Sequence, residues 1–217
     1  MEKKRIVLRI IAAIIAMTAI ALCFASCSSG NAEESEPEVS YGEMPEYDVE
    51  NIESYIKPFT YKGLVLYMTY GEKAQEKLWS EISESAEVIK YPEAQVEYYA
   101  EQERASYRYL AKRDGVDYDA LLEGMGVTEE SIYSKARGLV KDDLILAYII
   151  KDAGLSLTEE EKLLYFDKYV EKYVTAYGYD KEYVKTNMAD QIYDSMLYDK
   201  TMEYLLLNNI VNTTQSI

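Results

Sequence analysis

From Glu72 to Asn209 apolar residues recur three and four positions apart, and the residues that would break such a run are scarce, 10 Gly and 4 Pro in 217 residues. That spacing lays a stripe along one face of an α-helix, so the chain is committed to amphipathic helices packed on one another. The expected fold class is all-α.

Punctuation divides the run. A first helix spans about Glu72 to Ala86, with Leu78, Trp79 and Ile82 on one side. Tyr91-Pro92 interrupts it, and proline suits the first turn of a new helix because its missing N–H is not needed there. That helix carries Val96, Tyr99, Tyr107 and Leu110 to about Arg113 and ends at Gly115; a short one follows from Tyr118 to Glu123, closed by Gly124 and Gly126. Thr128-Glu129-Glu130-Ser131 is a start signal with Thr128 as N-cap, leading into Ile132, Ala136, Leu139, Val140, Leu144, Ala147 and Ile150 before Gly154 stops it. A second Thr-Glu-Glu-Glu start at Thr158 launches an apolar stripe of Leu163, Phe166, Val170, Tyr173 and Tyr177, up to Gly178. Asp180 to Thr186 reads as a short helical piece, and about Met188 to Asn209 as the last long helix, with Ile192, Met196, Leu205 and Ile210 among its apolar positions.

The N-terminus differs in kind. Lys3, Lys4, Arg5 and Arg9 precede an uncharged apolar run from Ile10 through Phe24, the layout of a secretory signal helix. The run meets Phe24-Ala25-Ser26-Cys27, which resembles a bacterial lipobox with Phe24 in place of the usual Leu and Cys27 as the lipidated residue. The alternative is a single membrane-spanning anchor, since Ile6 to Phe24 approaches the ~20 residues that cross a bilayer. In either case the positive charges stay inside and the domain faces outward. Residues 1–27 are therefore expected to be a lipoprotein signal peptide and lipobox, and 28–55, rich in Ser, Gly, Asn, Glu and Pro near its start, a flexible tether. Residues 56–73 form an extended arm or short strand, because Leu64, Leu66 and Met68 alternate with Val65, Tyr67 and Thr69. Residues 74–211 are the helical domain and 212–217 a tail.

Composition excludes much chemistry. With no histidine, the chain has no Ser-His-Asp or Cys-His catalytic group and no histidine zinc ligand. The net charge of −16 repels nucleic acid, and loss of residues 1–26, which hold four of the basic residues, would deepen it. Gly124 and Gly126 lack the third glycine of a dinucleotide loop. Asp114, Asp117 and Asp119 resemble a calcium loop only until Leu121 occupies an oxygen position, so they read as cap and turn acids. Asp142 and Asp143 are adjacent on a helix and do not face each other as a glycosidase pair would. No cofactor or metal is expected.

Twenty-three Tyr stand beside 3 Phe and 1 Trp, with 8 Met. Runs such as Tyr98-Tyr99 and Leu163-Leu164-Tyr165-Phe166 cannot all face one core on a helix of 3.6 residues per turn. For any single tyrosine the alternative is packing on a neighbouring helix or subunit; as a set, these side chains suit an adaptable apolar surface. A contact of ~400 Å² at ~25 cal/mol per Å² contributes about 10 kcal/mol, against ~4–15 kcal/mol for association. Such binding is weak and reversible, as a client that must leave requires.

In this order, Leu78-Trp79, Tyr91-Pro92-Glu93-Ala94-Gln95-Val96-Glu97, Leu121 to Glu130, Asp142 to Ile150 with Ala153 to Glu161, and Tyr204 to Ile210 resemble the C-terminal, client-cradling domain of trigger factor, related to the helical chaperone part of the SurA and PrsA foldases. The resemblance implies an elongated multi-helix chaperone domain whose partners are unfolded or secreted polypeptides, bound without ATP. No Gly-Phe-Arg ribosome-docking signature occurs, and Tyr61-Lys62-Gly63-Leu64, which resembles the stretch before the family's prolyl isomerase domain, is followed almost at once by Trp79, so the resemblance implies that this domain is deleted. The expectation is an extracytoplasmic chaperone held at the cell membrane through a lipid anchor on Cys27, with client contacts at Tyr98, Tyr99, Tyr107, Tyr165, Tyr169, Tyr173, Tyr177, Met196 and Tyr198. Two alternatives stand beside it: a prolyl isomerase of the same family, and a structural envelope lipoprotein with one dedicated partner.

Overall fold

The computed structural model describes residues 44–69 and 72–213. Its α-helices are α1 (Ala74–Ser85), α2 (Glu93–Asp114), α3 (Tyr118–Met125), α4 (Glu129–Asp152), α5 (Glu159–Tyr177), α6 (Lys181–Asn187) and α7 (Ala189–Leu207); a 3₁₀ helix (Val49–Ser54) precedes them, and strands β1 (Val65–Met68) and β2 (Ile210–Thr213) flank them. The fold is all-α but for that strand pair. The expected signal peptide and Cys27 lie outside the described residues, as does the tail beyond Thr213.

The helix boundaries follow local chemistry. Thr158 accepts the Glu161 N–H at 3.1 Å while the Glu161 carboxylate accepts the Thr158 N–H at 2.7 Å, a closed capping box. Thr128 makes the same exchange with the Ser131 hydroxyl, and Asp117 caps α3 by accepting from the N–H groups of Asp119 and Ala120. Gly115 and Gly178 end α2 and α5 at φ of 65° and 71°, a left-handed turn that costs glycine nothing.

The described chain divides into two units. The first holds residues 48–90 and 141–213, the second 44–47 and 91–140, so residues 91–140 interrupt the first unit in sequence. In the first unit, α4 is buried at every residue from Asp143 to Ala147 and again at Ile149 and Ile150. A helix covered on all sides needs apolar residues all round, and Leu144-Ile145-Leu146-Ala147 supplies them. Leu78 and Ile82 of α1, Val170 and Tyr173 of α5, Val184 of α6, and Ile192, Met196, Leu197, Met202 and Leu205 of α7 complete this core.

Regular structure already occurs at Val49–Ser54, within the 28–55 segment expected to be a tether. Ile52 and Ile56 are fully buried, and Lys151 of α4 donates to the Glu50 carbonyl (2.7 Å) and the Glu53 carboxylate (2.8 and 2.9 Å), which fastens the 3₁₀ helix. The last helix stops at Leu207 rather than Asn209. Ile210 is therefore not a helical position: it opens β2, which runs parallel to β1 in the register Val65↔Ile210 to Met68↔Thr213. Asn209 fixes this junction, accepting the Leu64 N–H at 2.8 Å and donating to the carbonyls of Tyr61 (3.0 Å) and Leu205 (2.7 Å).

In the second unit, Val96, Tyr99 and Ala100 of α2 and Ile132, Ala136 and Val140 of α4 are buried. Arg104 ties the two helices, reaching Glu97 and Glu129 at 2.8 Å and Glu101 at 3.3 Å.

Candidate polypeptide-binding surface

A surface that holds apolar chain segments must leave apolar side chains in water, so exposure decides which residues qualify. Three of the nine expected contacts do not. Tyr99 is 1% exposed, Tyr173 2% and Met196 4%; they are core residues, because Tyr173 faces α7, where its hydroxyl lies 2.8 Å from Ser195 Oγ, and Met196 lies on the buried side of that same helix. Tyr98, Tyr107, Tyr169, Tyr177 and Tyr198 are half-buried and Tyr165 is exposed.

The most exposed apolar residues are others. Leu163, expected on the inward stripe of α5, is 85% exposed, and Leu164 and Tyr165 beside it are exposed as well. Full burial on α5 is confined to Val170 and Tyr173; in its first two turns Leu163, Leu164 and Tyr165 lie in solvent, while Phe166 is half-buried with its ring 5.4 Å from that of Tyr193. Leu207 at the end of α7 is 79% exposed, and on the sheet Val65, Tyr67 and Ile210 are exposed. In the second unit Val116 and Met125 are exposed at helix ends. The run Leu163-Leu164-Tyr165-Phe166 did signal that some of its members must face outward; which ones could not be read locally. Nothing local marked Leu207, which the helical spacing treats like any core leucine.

The tyrosine excess has a physical use. Rings of Tyr173, Tyr177, Tyr179 and Tyr183 follow one another at 5.8, 6.2 and 6.1 Å, a row that leads from the core to the exposed Tyr183. Several of the hydroxyls meet acceptors: half-buried Tyr169 donates to Asp199 (2.6 Å) and Tyr133 to Glu97 (2.5 Å), and buried Tyr61 donates to Asp152. Phenylalanine could not satisfy those carboxylates. Burial, with the Asp152 carboxylate second, pushes the Tyr61 hydroxyl up to about 12, and burial does the same for Tyr173. Burial and Asp199 raise Tyr169 further. These hydroxyls stay protonated donors throughout the neutral range, and the rings are held rather than free.

The acids that sequence set aside have structural partners. Asp142 accepts the Trp79 indole N–H at 3.1 Å, and burial raises its carboxyl above the ordinary aspartate range. Asp114 pairs with Arg113 at 2.7 Å. Among the described residues no group of three or more His, Cys, Asp or Glu side chains could hold a metal ion, and no helix is long and apolar enough to cross a membrane.

A sequence model of the family described as the bacterial trigger factor protein C-terminus matches residues 68–207. The chain belongs to that family. The trigger factor of Clostridioides difficile (strain 630) is 29% identical over 113 residues, half of this chain and 25% of the relative, so the chain spans about a quarter of its length. No solved structure gives a significant match. The trigger factor match begins at Met68 and closes at Leu207, so it takes in every α-helix from α1 to α7 and leaves all of β2 and most of β1 outside. Membership of the trigger factor C-terminal family points to a chaperone-like role.

Proposed function

We propose that this protein is a membrane-anchored, extracytoplasmic chaperone that holds unfolded or secreted polypeptides without ATP, on apolar side chains its helices leave in water. The observation that carries the reading is the exposed first half of α5, Leu163 to Tyr165, on a trigger factor C-terminal fold. Two adjacent exposed leucines on a helix stabilise nothing in the isolated chain, and an apolar client segment is what would remove them from water. A basic start, an apolar run and Cys27 in a lipobox-like setting support export and lipid anchoring.

The test uses the full chain in mild detergent, mixed with a chemically denatured, aggregation-prone protein and followed by light scattering. Suppression at near-stoichiometric ratio without nucleotide is the expected result; none at tenfold excess would overturn the reading. Acceleration of a proline-limited refolding phase would replace it with the foldase alternative. Capture of one tight partner without generic suppression would favour a structural envelope lipoprotein. The anchor is tested by labelling cells with a radioactive fatty acid: the parent protein should take up the label and Cys27→Ala should not, whereas an unlabelled parent that stays in the membrane would assign anchoring to the apolar run Ile10 to Phe24 instead.

A further inference from the structure

The strand pair has an unusual surface. Residues paired across a parallel ladder share a face, so Val65 and Ile210 stand side by side with Tyr67 on one face, while Leu66 lies on the other. Leu66 is buried and Val65, Tyr67 and Ile210 are exposed. This explains why both alternating sets of β1 are apolar in sequence: one packs on the helices and the other meets water.

Among the described residues the outer edge is open as well as the face. The Leu64 carbonyl accepts the Ile210 N–H at 2.8 Å and the Leu64 N–H goes to Asn209, so Leu64, Leu66 and Met68 direct their backbone groups to the β2 side. By strand alternation the N–H and C=O groups of Val65 and Tyr67 point the other way. Thr69 closes that edge, since its N–H donates to the Glu72 carboxylate at 2.6 Å and its carbonyl accepts the Glu72 N–H at 3.3 Å. Among the described residues two donors and two acceptors remain in a row, those of Val65 and Tyr67. No charge, proline or bulge protects residues 64–69, the usual means of keeping an edge unpaired.

The geometry points to strand addition: the outer edge of β1 takes up an extended, neutral or basic segment of an unfolded polypeptide, whose backbone pairs with Val65 and Tyr67 while alternate apolar side chains lie beside them. This rests on the chaperone reading above and names how one class of client segment is held. A row of backbone donors and acceptors is matched by another extended backbone, and the acidic chain favours basic segments. A second copy is the poorer occupant, because three exposed side chains fall well short of the ~800 Å² per partner of a stable interface. Val65 and the whole of β2 lie outside the trigger factor match, so this device belongs to this chain rather than to the matched family region.

The probe is a fluorescein-labelled ten-residue peptide of alternating Val and Thr with a Lys at each end, titrated by anisotropy against the full chain in mild detergent. Tyr67→Pro removes an outward N–H that makes no ladder bond and should weaken binding about tenfold. Tyr67→Val keeps that N–H and should weaken it by about threefold or less. The same peptide N-methylated at every residue, so that neither edge can donate, should lose about tenfold against the unaltered chain, which decides the matter even if Tyr67→Pro fails to fold. Equal binding of the methylated peptide, or equal losses for the folded Pro and Val variants, overturns strand addition. So does absent peptide binding accompanied by dimers that sediment at micromolar concentration and vanish in Tyr67→Pro, which would assign the edge to a second copy. Intact suppression of client aggregation beside absent peptide binding overturns the edge proposal alone; loss of both overturns the chaperone reading too.

Discussion

Replacing Leu163 and Leu164 together by Gln separates surface from core. Gln and Leu have nearly the same helix propensity, so α5 keeps its intrinsic stability, and at 85% exposure for Leu163 little buried area exists to lose. The change in unfolding free energy should stay within about 0.5 kcal/mol. Client binding should respond differently, because a leucine side chain fully buried by a partner contributes about 1.5–3 kcal/mol. With half of that realised on a loose client, the pair contributes about 1.5–3 kcal/mol, a loss of roughly tenfold to a hundredfold in holding. The contrasting variant is Tyr173→Ala: a ring 2% exposed, with its hydroxyl on Ser195, should cost about 3–5 kcal/mol of stability. Urea unfolding followed by circular dichroism reads the first quantity and light scattering of a denatured client the second. If the leucine pair lowers stability as much as Tyr173→Ala does, or leaves client holding untouched, the assignment of α5 as a binding face is wrong.

Thr158→Ala opens the capping box at α5 and should cost about 1 kcal/mol in urea unfolding. Asp142→Asn keeps an acceptor for Trp79 while removing a carboxyl whose folded value is raised by burial. A raised carboxyl favours the native state in its protonated form, so its contribution is present below the unfolded value near 4 and lost as pH rises through the folded value. The Asn variant should therefore match or exceed the parent in stability at pH 7, and its advantage should shrink on acidification through that window. Asn209→Ala removes three hydrogen bonds that join Tyr61, Leu64 and Leu205. Stability should fall by about 1–3 kcal/mol, and amide exchange at Leu64 and Ile210 should accelerate before exchange in α4 does.

What could be read from sequence was local. Thr158 and Thr128 announce helix starts because a cap acts within three residues, and Gly115 and Gly178 announce ends because the left-handed turn is set by one residue. Exposure is not local. Leu163 and Val170 have the same spacing in the stripe, yet one is in water and the other fully buried, since burial depends on where α7 and α6 pass. Ile210 continues a helical rhythm but lies in a strand, because its partner Val65 is far away in sequence. Ile52 sits in the segment read as tether and Ile56 at the start of the expected arm, and only contacts with residues far away in sequence make them core. Of the expected contact set, Tyr99, Tyr173 and Met196 proved internal for the same reason: aromatic and thioether side chains serve core and surface alike.

The parallel ladder joins residue 65 to residue 210, with residues 91–140 of the second unit interposed. At about 5–20 residues per second, several seconds or more of synthesis separate the two strands, and until the later one exists β1 offers both its edges unpaired. The nascent protein thus spends its own early life as the kind of exposed, strand-prone chain we propose it holds.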